Sequence, residues 1–496
     1  MSRASITRTG LWACAFLFTL TTAALAQTAT PAPKPTATPE PFSYNGYVRA
    51  FYFTRQNATA YPKGTGQLNQ AAFNAAVKLH GEYAFGATPW SVGATYVYAN
   101  PLGQNDMCDD VGNYAAGGTC QQYPSANNNE KMSDTTLPGY TLSTLGEAYL
   151  QYKDKYANVK IGDQSFTSPW ANPSDSRVKQ VYFQGLDANV ALAPGWSVGV
   201  SRMLQWESRV SSDFNRSTLL PGSLAADGSI AKPTTGFLLL KGSYAHASDF
   251  VANLNFYQFY DYASLTWVDG KWYPSPKSPF KFFVAGQFGS EKSAGAAISG
   301  MVDSQMAGAQ LGASFGKNVD VTLGFNTSPW HSKDISAASC AAAQAASGLF
   351  LPTGGSPICQ TLGGGTYRIY YGGMASPYTD SYATDPTFTG SISQTMVDRR
   401  AAGDAFKLGA TYLSTNKRFK AIVSQAWYDY SNGAGANATT AETNVDLTYF
   451  FNKVGKGAYH GFQLRHRYAE RDIRNTVPYG GLPVFKYNRT QLEFDF

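Results

Sequence analysis

Basic side chains recur at every second position of segments whose intervening positions are apolar. In residues 461–468, Arg465 and Arg467 share one side of an extended chain, whereas Phe462 and Leu464 share the other. A guanidinium binds a carboxylate through two parallel hydrogen bonds and stays charged at physiological pH. A row of such cations on a wet face would attract carboxylates and pass them along sites that bind and release them.

Two segments without this alternation carry carboxylates and guanidiniums close together. Asp175 and Arg177 lie in the first segment, and Asp398, Arg399 and Arg400 lie in the second. Opposite charges across a narrow passage select zwitterionic or dipolar solutes over simple ions. The alternative interpretation is that these residues pair with one another and only hold their segments in place.

The histidines and serines do not indicate catalysis. Hydrolysis requires a nucleophile beside a base, usually a histidine, which a third group orients. The five histidines are scattered through the chain: His80, His246, His331, His460 and His466. We therefore predict no catalytic residue, no metal site and no cofactor, and we keep a membrane enzyme as a remote alternative.

Alternation of apolar and polar residues continues through most of the chain and predicts β-strands. A period of two means that one face of each strand meets an apolar phase and the other meets water. Short and long connections alternate along the chain, provided that residues 263–273 also form a strand. The eighteen predicted strands are 44–54, 73–85, 90–100, 143–153, 156–164, 180–191, 196–207, 234–246, 249–261, 263–273, 279–290, 304–316, 318–328, 404–415, 418–430, 440–452, 459–471 and 486–496.

These strands predict an all-β protein, a transmembrane antiparallel β-barrel of about eighteen strands. After the first 26 residues no stretch approaches the ~18 apolar residues of a spanning helix. A lipid-exposed sheet must close on itself, since open edges would leave backbone groups unpaired. Phe494 and Phe496 end the last strand on its apolar face, and we interpret them as the C-terminal signal for barrel assembly. The alternative, a soluble β-sandwich, would show the same alternation.

The N-terminal residues have the features of an exported protein. Arg3 and Arg8 precede an apolar stretch, and an A-x-A sequence ends at Ala26. The predicted organisation is a signal peptide (1–26), a Pro/Thr/Ala-rich periplasmic linker (27–42) and the barrel (43–496). The full chain has 39 basic and 33 acidic residues, a net charge of +6, and losing Arg3 and Arg8 lowers it to about +4. This mild charge does not indicate a nucleic-acid partner.

Four cysteines of the predicted mature chain form two local pairs, Cys108 with Cys120 and Cys340 with Cys359. An even number of cysteines in an exported protein predicts two disulfides. Both pairs lie in long segments that are poor in predicted strands. We therefore expect each disulfide to cross-link residues within one loop and not to bind a ligand.

Charges on the strands are assigned to the inside of the barrel. A charge that faces lipid at the midplane costs ~2–4 kcal/mol, whereas one in a wet lumen does not. Because the last two strands and the first become neighbours on closure, four arginines are expected to form a basic strip: Arg49, Arg465, Arg467 and Arg489. Lys160 has the same inward phase in strand five. The alternative interpretation is ordinary salt bridging with Asp446, Glu442 and Glu493.

Several stretches resemble the OprD-type porins, the substrate-selective channels of Gram-negative outer membranes. The similar stretches are 144–189, with Pro169, Asp175, Arg177 and Phe183-Gln184-Gly185, then 299–326, then SPYTD (376–380) leading to 398–406, and finally 442–471. The resemblance covers most of the predicted mature chain in order. The Pro-rich leader and the two cysteine-bearing loops depart from the family pattern.

The resemblance implies a monomeric barrel of eighteen strands with long extracellular loops folding into the pore. The loop after strand five and the long loop containing Cys340 and Cys359 would narrow it. It also implies a comparable row of basic residues and passive, selective diffusion of small hydrophilic solutes, with amino acids, peptides and organic acids as candidates. The expected location is the bacterial outer membrane, with its lipid and the barrel-assembly machinery as partners. A general, non-specific trimeric porin is the alternative.

Overall fold

A computed structural model describes most of the predicted barrel. The described residues are 41–56, 70–106, 114–115, 119–120, 141–173, 177–220, 230–247, 249–274, 280–295, 302–329, 331–340, 359–371, 374, 376–378, 386–399, 402–431, 437–452, 454, 459–474 and 484–496. The predicted signal peptide, Cys108, Asp175 and Arg400 lie outside these ranges, so the predictions for them stay predictions.

The chain is built almost entirely of strands. In chain order they are β1 (Phe42–Gln56), β2 (Gln70–Ala84), β3 (Trp90–Asp106), β4 (Tyr114–Ala115), β5 (Thr119–Cys120), β6 (Leu142–Lys153), β7 (Ala157–Gln164), β8 (Tyr182–Ala193), β9 (Trp196–Glu207), β10 (Phe237–His246), β11 (Phe250–Phe259), β12 (Ala263–Trp272), β13 (Phe280–Ser293), β14 (Asp303–Phe315), β15 (Val319–Ser328), β16 (His331–Ser336), β17 (Cys359–Gly363), β18 (Thr366–Tyr371), β19 (Ala402–Leu413), β20 (Phe419–Ser431), β21 (Asn437–Phe450), β22 (Gly461–Arg474) and β23 (Phe485–Asp495). A short helix, α1 (Met396–Arg399), precedes β19.

Eighteen of these strands form one closed antiparallel sheet. Each pairs with the next along the chain, and β1 pairs with β23, with Arg49 opposite Glu493, so the sheet has no open edge. The predicted eighteen-stranded barrel is confirmed, including the strand predicted at residues 263–273, which is β12. A single closed sheet also rules out the sandwich alternative, which requires two facing sheets.

Apolar side chains face outward from the barrel and polar side chains face inward, which is the reverse of the arrangement in a soluble protein. In β23, Leu492 is 44% exposed on the outside, whereas its neighbours Gln491 and Glu493 are 4% and 6% exposed on the inside. The same alternation in β1 places Val48 outside and Arg49 inside. An apolar outer surface around a polar interior is the arrangement of transmembrane barrels.

Connections at the two rims differ in length, as predicted. At one rim β8 and β9 are joined by Pro194 and Gly195 alone, and at the other rim the longest connection runs from β15 to β19. Gly195 has φ +81, and a Cβ there would lie 2.2 Å from the backbone oxygen of Ala245, so this turn requires glycine. The long-loop rim has two short connections, residues 260–262 between β11 and β12 and residues 432–436 between β20 and β21.

Short strands also occur within the long connections, which the sequence analysis described as strand-poor. Strands β16, β17 and β18 form a separate three-stranded sheet, and β4 pairs with β5. Cys340 is buried and disulfide-bonded, and β17 begins at Cys359. The side chains of Cys120 and Cys359 lie outside the described part of the chain, so both proposed pairings stay predictions. No helix in the described ranges is long and apolar enough to cross a membrane.

Candidate functional site

Closure of the barrel brings the four predicted strip arginines to one stretch of inner wall. Arg467 lies directly opposite Arg489 across β22 and β23, and Arg465 lies opposite Gln491. Arg49 follows on β1, which pairs with β23. The sequence predicted this neighbourhood from strand order and phase.

Two of these arginines share one carboxylate. Arg465 donates from Nε to Oδ1 of Asp446 at 2.8 Å and from Nη2 to Oδ2 at 2.5 Å, and Arg467 donates from Nε to Oδ2 at 2.7 Å. The side chains of Arg465 and Arg467 are 28% and 14% exposed. Two guanidiniums with one carboxylate leave an excess positive charge that is accessible from the interior.

The other two arginines are buried. Arg49 forms an ion pair with Glu493 and also donates to the backbone oxygen of Arg177. Arg489 donates to the side chain of Gln491, and its guanidinium lies 4.5 Å from the centre of the Phe51 ring. Both are less than 5% exposed. The strip therefore has an accessible half, Arg465 and Arg467, and a covered half, Arg49 and Arg489.

Lys160 belongs to another part of the wall. It lies on β7 between Gln151 of β6 and Asp187 of β8. Its ammonium is 3.8 Å from the centre of the Tyr149 ring. Asp187 bonds instead to Lys241 of β10 at 2.7 Å. The structure therefore does not bring Lys160 together with the arginine strip.

Residues 165–173 and 177–181, between β7 and β8, fold into the barrel; we call them the first inward loop. Its second half contacts β1, because Tyr47 donates to the backbone oxygen of Val178 at 3.0 Å. Arg177 is 2% exposed and its guanidinium lies 5.3 Å from the centre of the Phe53 ring. Arg177 is thus packed against the wall, which corresponds to the alternative interpretation that it fixes the loop.

The same half of this loop is attached to β9 by a buried ion pair. Lys179 lies 2.5 Å from Oε1 of Glu207 and donates to the backbone oxygen of Ser208 at 2.6 Å. The Lys179 and Glu207 side chains are fully buried, and Thr144 donates to the second carboxylate oxygen at 3.0 Å. Burial lowers the pKa of the Lys179 ammonium, and the neighbouring Glu207 acts in the opposite direction. Sequence reasoning missed this pair, although Lys179 lies in a stretch that resembles the porins.

Residues 386–399, before β19, form a second inward loop. Glu442 of β21 accepts hydrogen bonds from the backbone N–H and the hydroxyl of Ser393, at 2.8 and 2.6 Å. Asn444 accepts one from the N–H of Ile392 at 3.1 Å, and Arg471 donates to the oxygen of Ser393 at 3.1 Å. Glu442 therefore holds a loop and does not form an ion pair with a strip arginine. The inward-folding loops of the fold prediction are confirmed.

For the charged residues predicted in the second inward loop, the structure describes only the backbone position. Asp398 and Arg399 belong to α1, and their side chains lie outside the described part of the structure. The prediction that they line the opening stays a prediction, as does that for Asp175.

One apolar cluster of the interior extends from β8 to β12 and continues to β14, β19 and β20. Trp170 of the first inward loop packs edge-on against Trp267, with ring centres 5.2 Å apart, and its backbone N–H donates to the Tyr257 hydroxyl at 3.2 Å. Other buried members include Phe166, Phe183, Met203, Phe237, Leu239, Phe259, Leu265 and Met306. A second buried apolar cluster, with Phe51 and Phe53 of β1 and Phe485 and Tyr487 of β23, lies beside the arginine strip.

No candidate metal centre is found among the described side chains. They include no group of three or more histidine, cysteine, aspartate or glutamate residues that could hold a metal ion. His80 bonds to Thr95 and His466 to Thr490, which are contacts between neighbouring strands.

Comparison with known proteins finds similar solved structures but no matching family model or curated protein. Among solved structures, Acinetobacter baumannii OccAB4 is 15% identical over 93% of this chain and 100% of its own, with a TM-score of 0.65. A BenF-like porin from Pseudomonas fluorescens Pf-5 is 13% identical over 92% and 99%, with a TM-score of 0.66. Pseudomonas aeruginosa OpdK with vanillate is 13% identical over 93% and 100%, with a TM-score of 0.61. The resemblance stated from the sequence is thus confirmed in the structure, and the chain has the fold of the OprD-type outer-membrane porins.

Proposed function

We propose that the protein is an outer-membrane porin for the passive, selective diffusion of small hydrophilic solutes that carry a carboxylate. The observation that carries the proposal is the accessible pair Arg465 and Arg467, which share the single carboxylate of Asp446. A guanidinium that is only partly neutralised can bind an incoming carboxylate and release it again. Amino acids, peptides and organic acids are the candidate solutes.

The accessible arginine pair lies on β22, which contributes no residue to the apolar cluster around Trp170. A charged solute in contact with that cluster would lose its hydration without compensation. The arginines and Asp446 offer polar partners instead. One structural neighbour, P. aeruginosa OpdK, was crystallised with vanillate, which is a carboxylate.

The proposal includes the cellular setting. The chain would be exported by residues 1–26, inserted by the barrel-assembly machinery through β23 with Phe494 and Phe496, and surrounded by outer-membrane lipid. It assigns no catalytic role to any residue and no cofactor. The alternative is a general trimeric porin, for which solute charge would matter little.

Reconstitution tests the proposal directly. Liposomes containing the protein should swell faster in small carboxylates than in neutral sugars of equal size. In planar bilayers with a salt gradient, Arg465→Gln/Arg467→Gln should move the reversal potential toward that of a less anion-preferring pore. The matched control is Lys155→Gln/Lys317→Gln, which removes the same charge from turns at the rim. An unchanged reversal potential in the arginine variant would show that the strip does not select solutes.

A further inference from the structure

Ser376, Pro377 and Tyr378 connect several loops inside the barrel. They belong to the SPYTD stretch that resembles the porins, and they lie between β18 and the second inward loop. Neither the fold nor the proposed selectivity gives them a role. Ser376 and Tyr378 are 6% and 3% exposed, so they are buried although they belong to a connection between strands.

These residues contact the first inward loop through its backbone. The Ser376 hydroxyl donates to the backbone oxygen of Trp170, and Ala171 pairs with Tyr378 in a parallel bridge. The N–H of Tyr378 donates to the Ser376 hydroxyl at 3.2 Å, which fixes the hydroxyl in place. The first half of the inward loop is therefore bonded to this segment at two successive residues.

They also contact the connection between β9 and β10. The N–H of Leu219 donates to the backbone oxygen of Pro377 at 2.9 Å, and the hydroxyls of Thr234 and Tyr378 lie 2.7 Å apart. The Tyr378 ring packs against Phe237, with ring centres 5.3 Å apart, and against Trp206 at 5.8 Å. One tyrosine thus joins two loops and the barrel wall.

The two halves of the first inward loop are held by different groups. The second half is attached through Lys179 and Glu207 and through Tyr47. The first half is held near Trp170 by residues 376–378, the Tyr257 hydroxyl and the Trp267 ring, and at its start by a hydrogen bond from the Ser165 N–H to Glu147 at 2.8 Å. Loss of the segment would therefore loosen the part of residues 165–173 near Trp170 while the second half stayed in place.

We propose that residues 376–378 are a clamp that sets the position of the first inward loop and so the width of the opening, with Tyr378 as its positioning residue. The inference rests on the proposed function as a channel. It also gives a role to the buried part of the long connection between β15 and β19: along the chain, the clamp lies between the separate sheet of β16–β18 and the second inward loop, and it contacts the first inward loop.

The test separates the hydroxyl of Tyr378 from its ring. Tyr378→Phe keeps the ring contacts and removes the bond to Thr234, and Ser376→Ala removes the bond to Trp170. The control is Tyr459→Phe, which deletes a tyrosine hydroxyl bonded to the oxygen of Phe462 at the opposite rim. Full-length protein in detergent or lipid is used throughout, and heat-dependent gel mobility verifies that each variant has formed a barrel.

Hydrogen exchange of the 165–173 peptide is the first measurement. Each clamp variant should raise its exchange rate about fivefold, the factor that corresponds to one hydrogen bond of ~1 kcal/mol, and Tyr459→Phe should not. Peptides of β22 and β23 should keep the wild-type rate in every variant. Equal exchange of 165–173 in Tyr378→Phe, Ser376→Ala and the wild type would overturn the proposal.

Single-channel recording is the second measurement. Clamp variants should show more frequent sub-conductance states than the wild type, with an unchanged reversal potential because the strip arginines are untouched. If sub-conductance states were as rare in both clamp variants as in the wild type, the clamp proposal would be wrong. If the wild-type protein conducts no ions, the proposed function fails, and the exchange experiment still decides whether the clamp holds the loop.

Discussion

Under the proposed function, we expect the charge of Asp446 to limit how strongly the accessible arginines attract an anion. It accepts from both Arg465 and Arg467, so its carboxylate offsets half of their positive charge. Asp446→Asn should increase anion preference, the opposite of the arginine substitutions, and reversal potentials in a salt gradient measure this. Asp154→Asn is the matched control, since it removes one negative charge from a turn at the rim. Equal shifts in the two variants would show that net charge, and not position, governs selectivity.

Lys179 and Glu207 are predicted to stabilise the folded protein only as a pair. Lys179→Met leaves Glu207 buried without its ammonium partner, and breaking such a pair from one side costs ~3–5 kcal/mol. Unfolding by guanidinium in lipid vesicles should show this loss. The double variant Lys179→Met/Glu207→Gln should recover much of it, because no unpaired charge remains. Lys160→Met serves as the control, and an equal loss there would refute the special role of the pair.

Sequence reasoning located the arginines but not what covers them. Phase along a strand determines that Arg49 and Arg489 face inward, and strand order determines that they are neighbours. Their burial depends on the first inward loop, whose path follows from distant contacts such as Lys179 with Glu207. No periodicity in the loop sequence encodes that path. This is why Arg177, expected at the opening, lies packed against Phe53.

Among the elements, the second inward loop depends most on one side chain. Glu442 accepts two hydrogen bonds from Ser393, and both are strengthened by the negative charge of the carboxylate. Glu442→Gln keeps the size of the side chain but weakens the attachment by ~1–2 kcal/mol. Hydrogen exchange of residues 391–395 should become faster. Glu470→Gln is the control, because Glu470 lies on the outer face in a loose pair with Lys486 at 4.0 Å.

The strands were more predictable than the loops because they repeat one physical rule. Lipid outside and water inside impose a period of two on every strand, and the rule extended even to β12, whose alternation is weaker. The sheet of β16–β18 is separate from the barrel sheet, so the same rule does not apply to it. Its strands carry no such pattern, so the sequence analysis described that segment as strand-poor.

At the scale of the whole molecule, the protein is predicted to be a monomer. Every barrel strand has a large apolar side chain exposed on the outer face, with examples at Leu79, Leu150, Leu240, Leu311, Leu408 and Leu464. A continuous apolar band is suited to lipid all around the barrel. Native mass spectrometry in detergent should therefore give the mass of one mature chain. A stable mass of three chains would favour the general porin alternative.

Arg49 lies where the first strand pairs with the last. Its guanidinium forms an ion pair with Glu493 of β23 and donates a hydrogen bond to the backbone oxygen of Arg177. In a barrel whose first and last strands have not paired, Glu493 is not beside Arg49, so the guanidinium that bonds to the loop lacks its carboxylate partner. Closure of the wall and one attachment of the first inward loop therefore share a single side chain. We expect this attachment to be complete only after β1 and β23 have paired.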